Sequence, residues 1–126
     1  MSSVFGGTAN AVASPASVRA IKQRSKTSIA GTSETTIVSA GPAGIFNDLY
    51  GVIIANTGAV TTKVDLRDTT GGAVQITLEV PANDTRGFML PAPSSTDQTG
   101  SATNWTAQAA SSTNLEITAF FVTNGP

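Results

Sequence analysis

The sequence predicts an all-β fold: a single small β-sandwich, jelly-roll-like, preceded by an extended basic N-terminal arm. Three observations carry this. Apolar and polar residues alternate with a period of two in Val60–Arg67 and again in Val74–Val80. Turn-forming residues recur about every 8–12 positions, the spacing of a sandwich or barrel. Four cations, Arg19, Lys22, Arg24 and Lys26, all precede the first acid, Glu34. At 126 residues the chain has the size of one domain, and such a domain buries roughly two-thirds of its unfolded surface.

The elements follow in order. Residues 1–26 read as the arm, rich in Gly, Ala and Ser, with Val4, Phe5, Val12, Val18 and Ile21 as its apolar supply. Within it, Ser14 as N-cap and Pro15 at the first helical position can begin a short helix near 15–24. Residues 27–126 form the β-domain. Thr35–Ala40 is a β-branched strand ended by Gly41-Pro42. Leu49–Asn56 is a nearly continuous apolar strand, turned by Asn56-Thr57-Gly58 into Val60–Arg67. Asp68-Thr69-Thr70-Gly71-Gly72 makes a hairpin to Val74–Val80. Arg86–Leu90 is short and stopped by Pro91. Thr103–Gln108 holds the single Trp105, and Ser111–Asn114 reads as a hairpin turn into Leu115–Val122, apolar on both faces at its end and therefore central; Phe120 and Val122, on the face opposite Ile117, Ala119 and Phe121, are left in need of cover from a neighbouring subunit. Seven strands result. The predicted core is Ile37, Val52, Ile54, Val64, Leu66, Val74, Ile76, Leu78, Phe88, Leu90, Trp105, Leu115, Ile117 and Phe121. Lys63, Asp65, Arg67, Gln75, Thr77 and Glu79 fall on the solvent face.

Composition narrows the function. Charged residues make up 12% of the chain, against about 25% in an average soluble protein. Thr (19), Ala (18) and Ser (13) take their place, a surface of hydroxyls and methyls more common in extracellular, pilus-like and virion proteins. There is no cysteine, so no disulfide or thiolate chemistry, and no histidine, the usual general base and metal ligand. No apolar run approaches the ~20 residues of a spanning helix, and the first residues lack the pattern of a secretory leader. No membrane partner is expected.

No catalytic constellation emerges. Lys63 lies on the polar side of an amphipathic strand, where a solvated lysine is the simpler reading than a Ser–Lys dyad. Asp65, Asp68 and Asp84 sit in or near turns, where Asp bonds local backbone N–H groups. Asp48 joins these three as conceivable calcium ligands, without any loop of calcium-binding spacing. Trp105 and Tyr50 offer rings for a sugar, but a tryptophan in an alternating strand is first a core residue. The sequence therefore predicts a non-enzyme with no cofactor and no metal.

The charge distribution remains. Residues 1–33 carry +4; residues 34–126 hold three cations against eight acids, a net of −5. Four cations without interleaved aromatics are few for nucleic acid, so none is expected as a partner. Docking on an acidic or mixed protein surface suits the count, with Arg19, Lys22, Arg24 and Lys26 as charged contacts and Val4 and Phe5 as an apolar anchor.

One resemblance adds to this reading. The order Leu49–Gly58, then Val64-Asp65-Leu66-Arg67-Asp68, Gly72–Val80, Phe88-Met89-Leu90-Pro91, a Ser/Thr loop, Trp105-Thr106-Ala107-Gln108 and the closing Leu115–Val122 resembles the small head decoration, or cement, proteins of tailed bacteriophages. It covers about residues 27–123 by pattern rather than by a motif, and it does not extend to the basic stretch. It implies a β-sandwich subunit, usually a trimer, that binds the major capsid protein on the outside of an assembled head and clamps neighbouring capsomers. It implies a place on the virion exterior, and no active-site residues. The alternatives are a receptor- or glycan-binding module of a head or tail fibre, using Trp105 and Ser94–Ser101, and a shell-forming jelly-roll coat protein.

Overall fold

The structure, a computed structural model, describes residues 21–94 and 103–124. Eight strands are present among the described residues: β1 (Ile21–Ile29), β2 (Thr35–Val38), β3 (Phe46–Asn56), β4 (Thr62–Arg67), β5 (Val74–Val80), β6 (Thr85–Ser94), β7 (Trp105–Ala109) and β8 (Leu115–Asn124). They form two four-stranded antiparallel sheets in the orders β1-β8-β3-β6 and β2-β7-β4-β5. This interleaving of early and late strands is the jelly-roll arrangement, and the domain is the all-β sandwich the sequence predicts.

The period-two runs account for the sandwich. Val64 and Leu66 of β4 point inward and are fully buried, as are Trp105 and Ala107 of β7. Opposite them, Leu49, Val52 and Ile54 of β3 and Leu115, Ile117 and Ala119 of β8 are fully buried. Ile76, Leu78, Phe88 and Phe121 pack at the margin of this core. Val74 does not join it. It is 43% exposed, because a register shift between Leu66 and Arg67 pairs it with Arg67 and so sets it on the outward face of the sheet. Leu90 is only half-buried.

Four other expectations are corrected. Residues 21–24 belong to a strand rather than to a helix, and β1 as a whole pairs with β8 from Ile21↔Thr123 to Ile29↔Leu115. The β-fold thus begins inside the segment read as an arm. Polar side chains alternate on β1 with polar ones (IKQRSKTSI), so hydropathy gives no period to read. Second, β7 and β8 form no hairpin; Ser111–Asn114 crosses from one sheet to the other. Third, β6 runs through Pro91 to Ser94. It is an edge strand, and a proline there removes no ladder bond that the sheet requires. Fourth, β3 begins at Phe46, ahead of the apolar run.

The ends of the strands are tied by one buried amide. Asn56 is 2% exposed. Its Nδ2 donates to the carbonyls of Val60 (2.8 Å) and Val80 (3.2 Å), and its Oδ1 accepts from the Gly58 N–H (3.0 Å) and the Thr113 hydroxyl (2.9 Å). Three loops therefore converge on a single side chain whose hydrogen-bonding capacity is filled. Gly58 is required by this closeness: a Cβ there would lie 2.2 Å from Thr113 Oγ1.

Candidate functional site: the outer face of the first sheet

The two outer faces of the sandwich differ in kind. On the β2-β7-β4-β5 sheet the outward side chains bond to one another. Thr77 donates to Asp65 (2.7 Å) and Arg67 to Gln108 (2.8 Å). Thr106 donates to Glu34 (2.5 Å), whose carboxylate also accepts the Gly71 N–H (3.1 Å). The Thr106 hydroxyl, then that N–H, hold the Glu34 carboxyl below its ordinary range. This face is mainly polar and cross-linked by these bonds, with Val74 as an exposed apolar residue at its edge strand.

The β1-β8-β3-β6 sheet is different. Cross-strand register places its outward residues in rows. One row is Arg24–Phe120–Gly51–Met89, and the next is Lys26–Thr118–Ile53–Gly87. Met89 is 59% and Ile53 41% exposed. A Cβ at Gly51 would lie 2.1 Å from Met89 Sδ, so Met89 lies across that glycine. At Gly87 a Cβ would meet the Val52 carbonyl oxygen at 2.5 Å. The centre of the face is consequently covered by apolar side chains.

Tyr50 reaches this face through a bulge. Leu49 pairs with Phe121, but Gly51 pairs with Phe120, leaving Tyr50 as the extra residue. The bulge keeps both Leu49 and Val52 inward and sets Tyr50 beside Phe120, with ring centroids 6.1 Å apart at 47°. The Lys22 amine lies 5.9 Å above the Tyr50 ring, within cation–π range. Lys22, Gln23, Arg24, Tyr50 and Phe120 line a shallow groove of about 240 Å³.

Of the six predicted contact residues, Lys22, Arg24 and Lys26 all lie on β1 and point to this face. They are exposed. Lys26 Nζ is 3.8 Å from Glu116, an exposed pair of the kind that contributes about 0.2–1 kcal/mol. Arg24 has no acidic partner among the described residues. Val4, Phe5 and Arg19, with the remainder of the arm, lie outside the described residues. Sequence reasoning marked Phe120 as an apolar residue in need of cover but missed Tyr50, Ile53 and Met89 as members of the same surface. The signal was present in part: apolar residues at 49, 52 and 54 are spaced by three and then two, which is how a bulge reads in a strand.

The other sequence candidates are dispersed. Asp84 accepts the Thr85 N–H and the Arg86 guanidinium, which lower its pKa in that order. Asp65 bonds Thr77 on the opposite sheet, and Asp48 is buried on β3, accepting from Asn124 at 2.8 Å. Trp105 is fully buried, so it cannot be the stacking ring of a glycan site. Val122, which the sequence left in need of cover from a neighbour, is 3% exposed within the chain itself.

No known family profile and no curated protein matches the chain. Its fold is similar to several solved structures. A Bacillus endospore appendage structure, from a family of disulfide-linked pili, aligns with a TM-score of 0.49 at 11% identity over 85% of this chain and 90% of that one. The crystal structure of PirA aligns at 0.47 and 13%, over 78% and 92%. The capsid asymmetric unit of cyanophage Pam1 aligns at 0.45 and 11%, over 82% and 84%. These are likenesses of strand arrangement, and they carry no function across.

Proposed function

We propose that this chain is a non-catalytic structural subunit of a virion: a decoration protein that binds the outside of an assembled phage head and clamps neighbouring capsomers. The observation that carries the reading is the asymmetry of the sandwich. One sheet's outer face is largely cross-linked by polar pairs, while the other's presents a contiguous apolar, cation-rimmed face that the described residues leave uncovered. A subunit that binds only the assembled shell stabilises it by linkage, by an amount set by its concentration over its dissociation constant. A trimer would present three such faces and three arms, making each contact after the first effectively intramolecular. The hydroxyl-rich second sheet would keep the exposed side in water.

The test adds purified protein to empty heads that lack it, followed by sedimentation, stoichiometry and heat challenge. Saturable binding that raises the temperature of shell disruption supports the reading; no binding overturns it. Removing residues 1–20 tests the arm while sparing β1, since a deletion to residue 26 would take away most of an edge strand. The arm's role requires that this truncation weaken shell binding with the β-domain still folded.

The strand order itself favours one second reading, a shell-forming coat protein, because capsid subunits use jelly rolls. Assembly of the pure protein into closed particles would select it.

A further inference from the structure

We propose that the outer face of the β1-β8-β3-β6 sheet is a docking surface for a protein segment presenting carboxylates beside apolar side chains. The inference rests on the shell-binding reading and names the surface that performs it.

Ile53 and Met89 are large apolar side chains held on the surface of a domain that has a complete core without them. They adjoin Phe120 and Tyr50, so the exposed apolar area is contiguous rather than scattered, which is the mark of an interaction site. At Gly51 the space a Cβ would take is filled by Met89, and at Gly87 by the Val52 carbonyl and Ile53, so apolar side chains cover the centre of the face. Among the described residues the opposite sheet exposes Val74 as an isolated large apolar side chain, and several of its outward polar groups bond to one another.

Charge selects the occupant. The rim along β1 carries Lys22, Arg24 and Lys26, and only Lys26 has a carboxylate beside it. Covering this face with a neutral or basic surface would strip water from Arg24 and Lys22 without replacement, a cost that unpaired charges do not recover. A partner carboxylate entering the groove between Lys22, Arg24 and the Tyr50–Phe120 pair supplies that replacement. Apolar contacts over Ile53 and Met89 then govern the lifetime of the complex, and the cations its rate of formation and salt dependence.

Two measurements test this on the full-length chain. The first uses a capped synthetic peptide alternating Glu with Val, and its counterpart with Lys for Glu, titrated into labelled protein by NMR. The Glu peptide should shift the signals of Arg24, Phe120, Ile53 and Met89, and the Lys peptide should not. Lys22→Glu with Arg24→Glu should weaken that binding at least tenfold, and Met89→Ser, at an exposed position that the fold does not need, should weaken it severalfold. Equal response to both peptides, or shifts confined to other strands, overturns the proposal. The second measurement repeats shell binding with the same variants. A loss of at least tenfold supports the proposal; shell binding unchanged by them overturns it. If the peptides map to this face while wild-type protein ignores shells, the docking chemistry stands and the decoration reading fails. If neither the Glu peptide nor the shells bind, both fail.

Discussion

Replacing Asn56 by Leu keeps the branched heavy-atom shape, with somewhat bulkier methyls, while removing four hydrogen bonds at once. The carbonyls of Val60 and Val80, the Gly58 N–H and the Thr113 hydroxyl all lose their partner. Each buried group left unsatisfied costs about 1–3 kcal/mol. The four will not all cost the maximum. Thr113 can rotate its hydroxyl, and the bond to Val80 is the longest at 3.2 Å. Counting about two groups as fully orphaned gives a loss of ~2–6 kcal/mol, a large share of the 5–15 kcal/mol typical of a domain. At roughly 4 °C per kcal/mol for a chain of this size, Tm should fall by ~8–24 °C. Trp105 is the single tryptophan and is fully buried, so its fluorescence reports unfolding in urea. Protein concentration must be held constant, since any association stabilises by mass action. The expected result is a lower midpoint with an unchanged slope. Asn56→Asp provides a control, because it keeps the acceptor but turns a carboxylate toward two carbonyls. Its deficit relative to wild type should therefore be greater at neutral pH than in acid, where the protonated carboxyl can donate. A loss under about 1 kcal/mol in the Leu variant would mean that the three loops do not depend on this amide.

Three further outcomes follow from the packing. Leu66→Ala, at a fully buried position, should cost ~2–5 kcal/mol, whereas Val74→Ala, 43% exposed, should stay within about 0.5 kcal/mol; urea titration of both checks that β5 starts outside the core. Gly87→Ala forces a Cβ to within 2.5 Å of the Val52 carbonyl oxygen and should destabilise by about 1–3 kcal/mol, while Gly31→Ala, with nothing within 4 Å, should be nearly silent in the same thermal melt. Glu34 has its folded pKa lowered from an ordinary 4.5 by Thr106 and Gly71, so its contribution is fully present above that value and is lost as pH falls through the folded one. Stability measured against pH should show the gap between wild type and Glu34→Gln closing below about pH 4.5; a gap independent of pH would refute that role for the carboxylate.

The all-β class, the β4–β5 hairpin and the inward faces of β3, β4, β7 and β8 were determined by the sequence, because half-buried strands write their period directly into hydropathy. The concentration of cations before residue 27 was equally legible, since charge needs no fold to be counted. Only the tertiary structure decided what those cations are part of. β1 is polar on both faces at most positions, so its strand character comes from nine paired residues on β8, almost a hundred positions away, and no local pattern encodes such a partner. The same holds for the exchange of β7 and β8 between sheets and for the continuation of β6 past Pro91, which follow from where edges and neighbours lie. The candidate site is the sharpest case. Lys22, Arg24, Tyr50, Ile53, Met89 and Phe120 come from four segments. They become one surface only through cross-strand register and one bulge, because a β-sheet builds its faces across strands rather than along the chain.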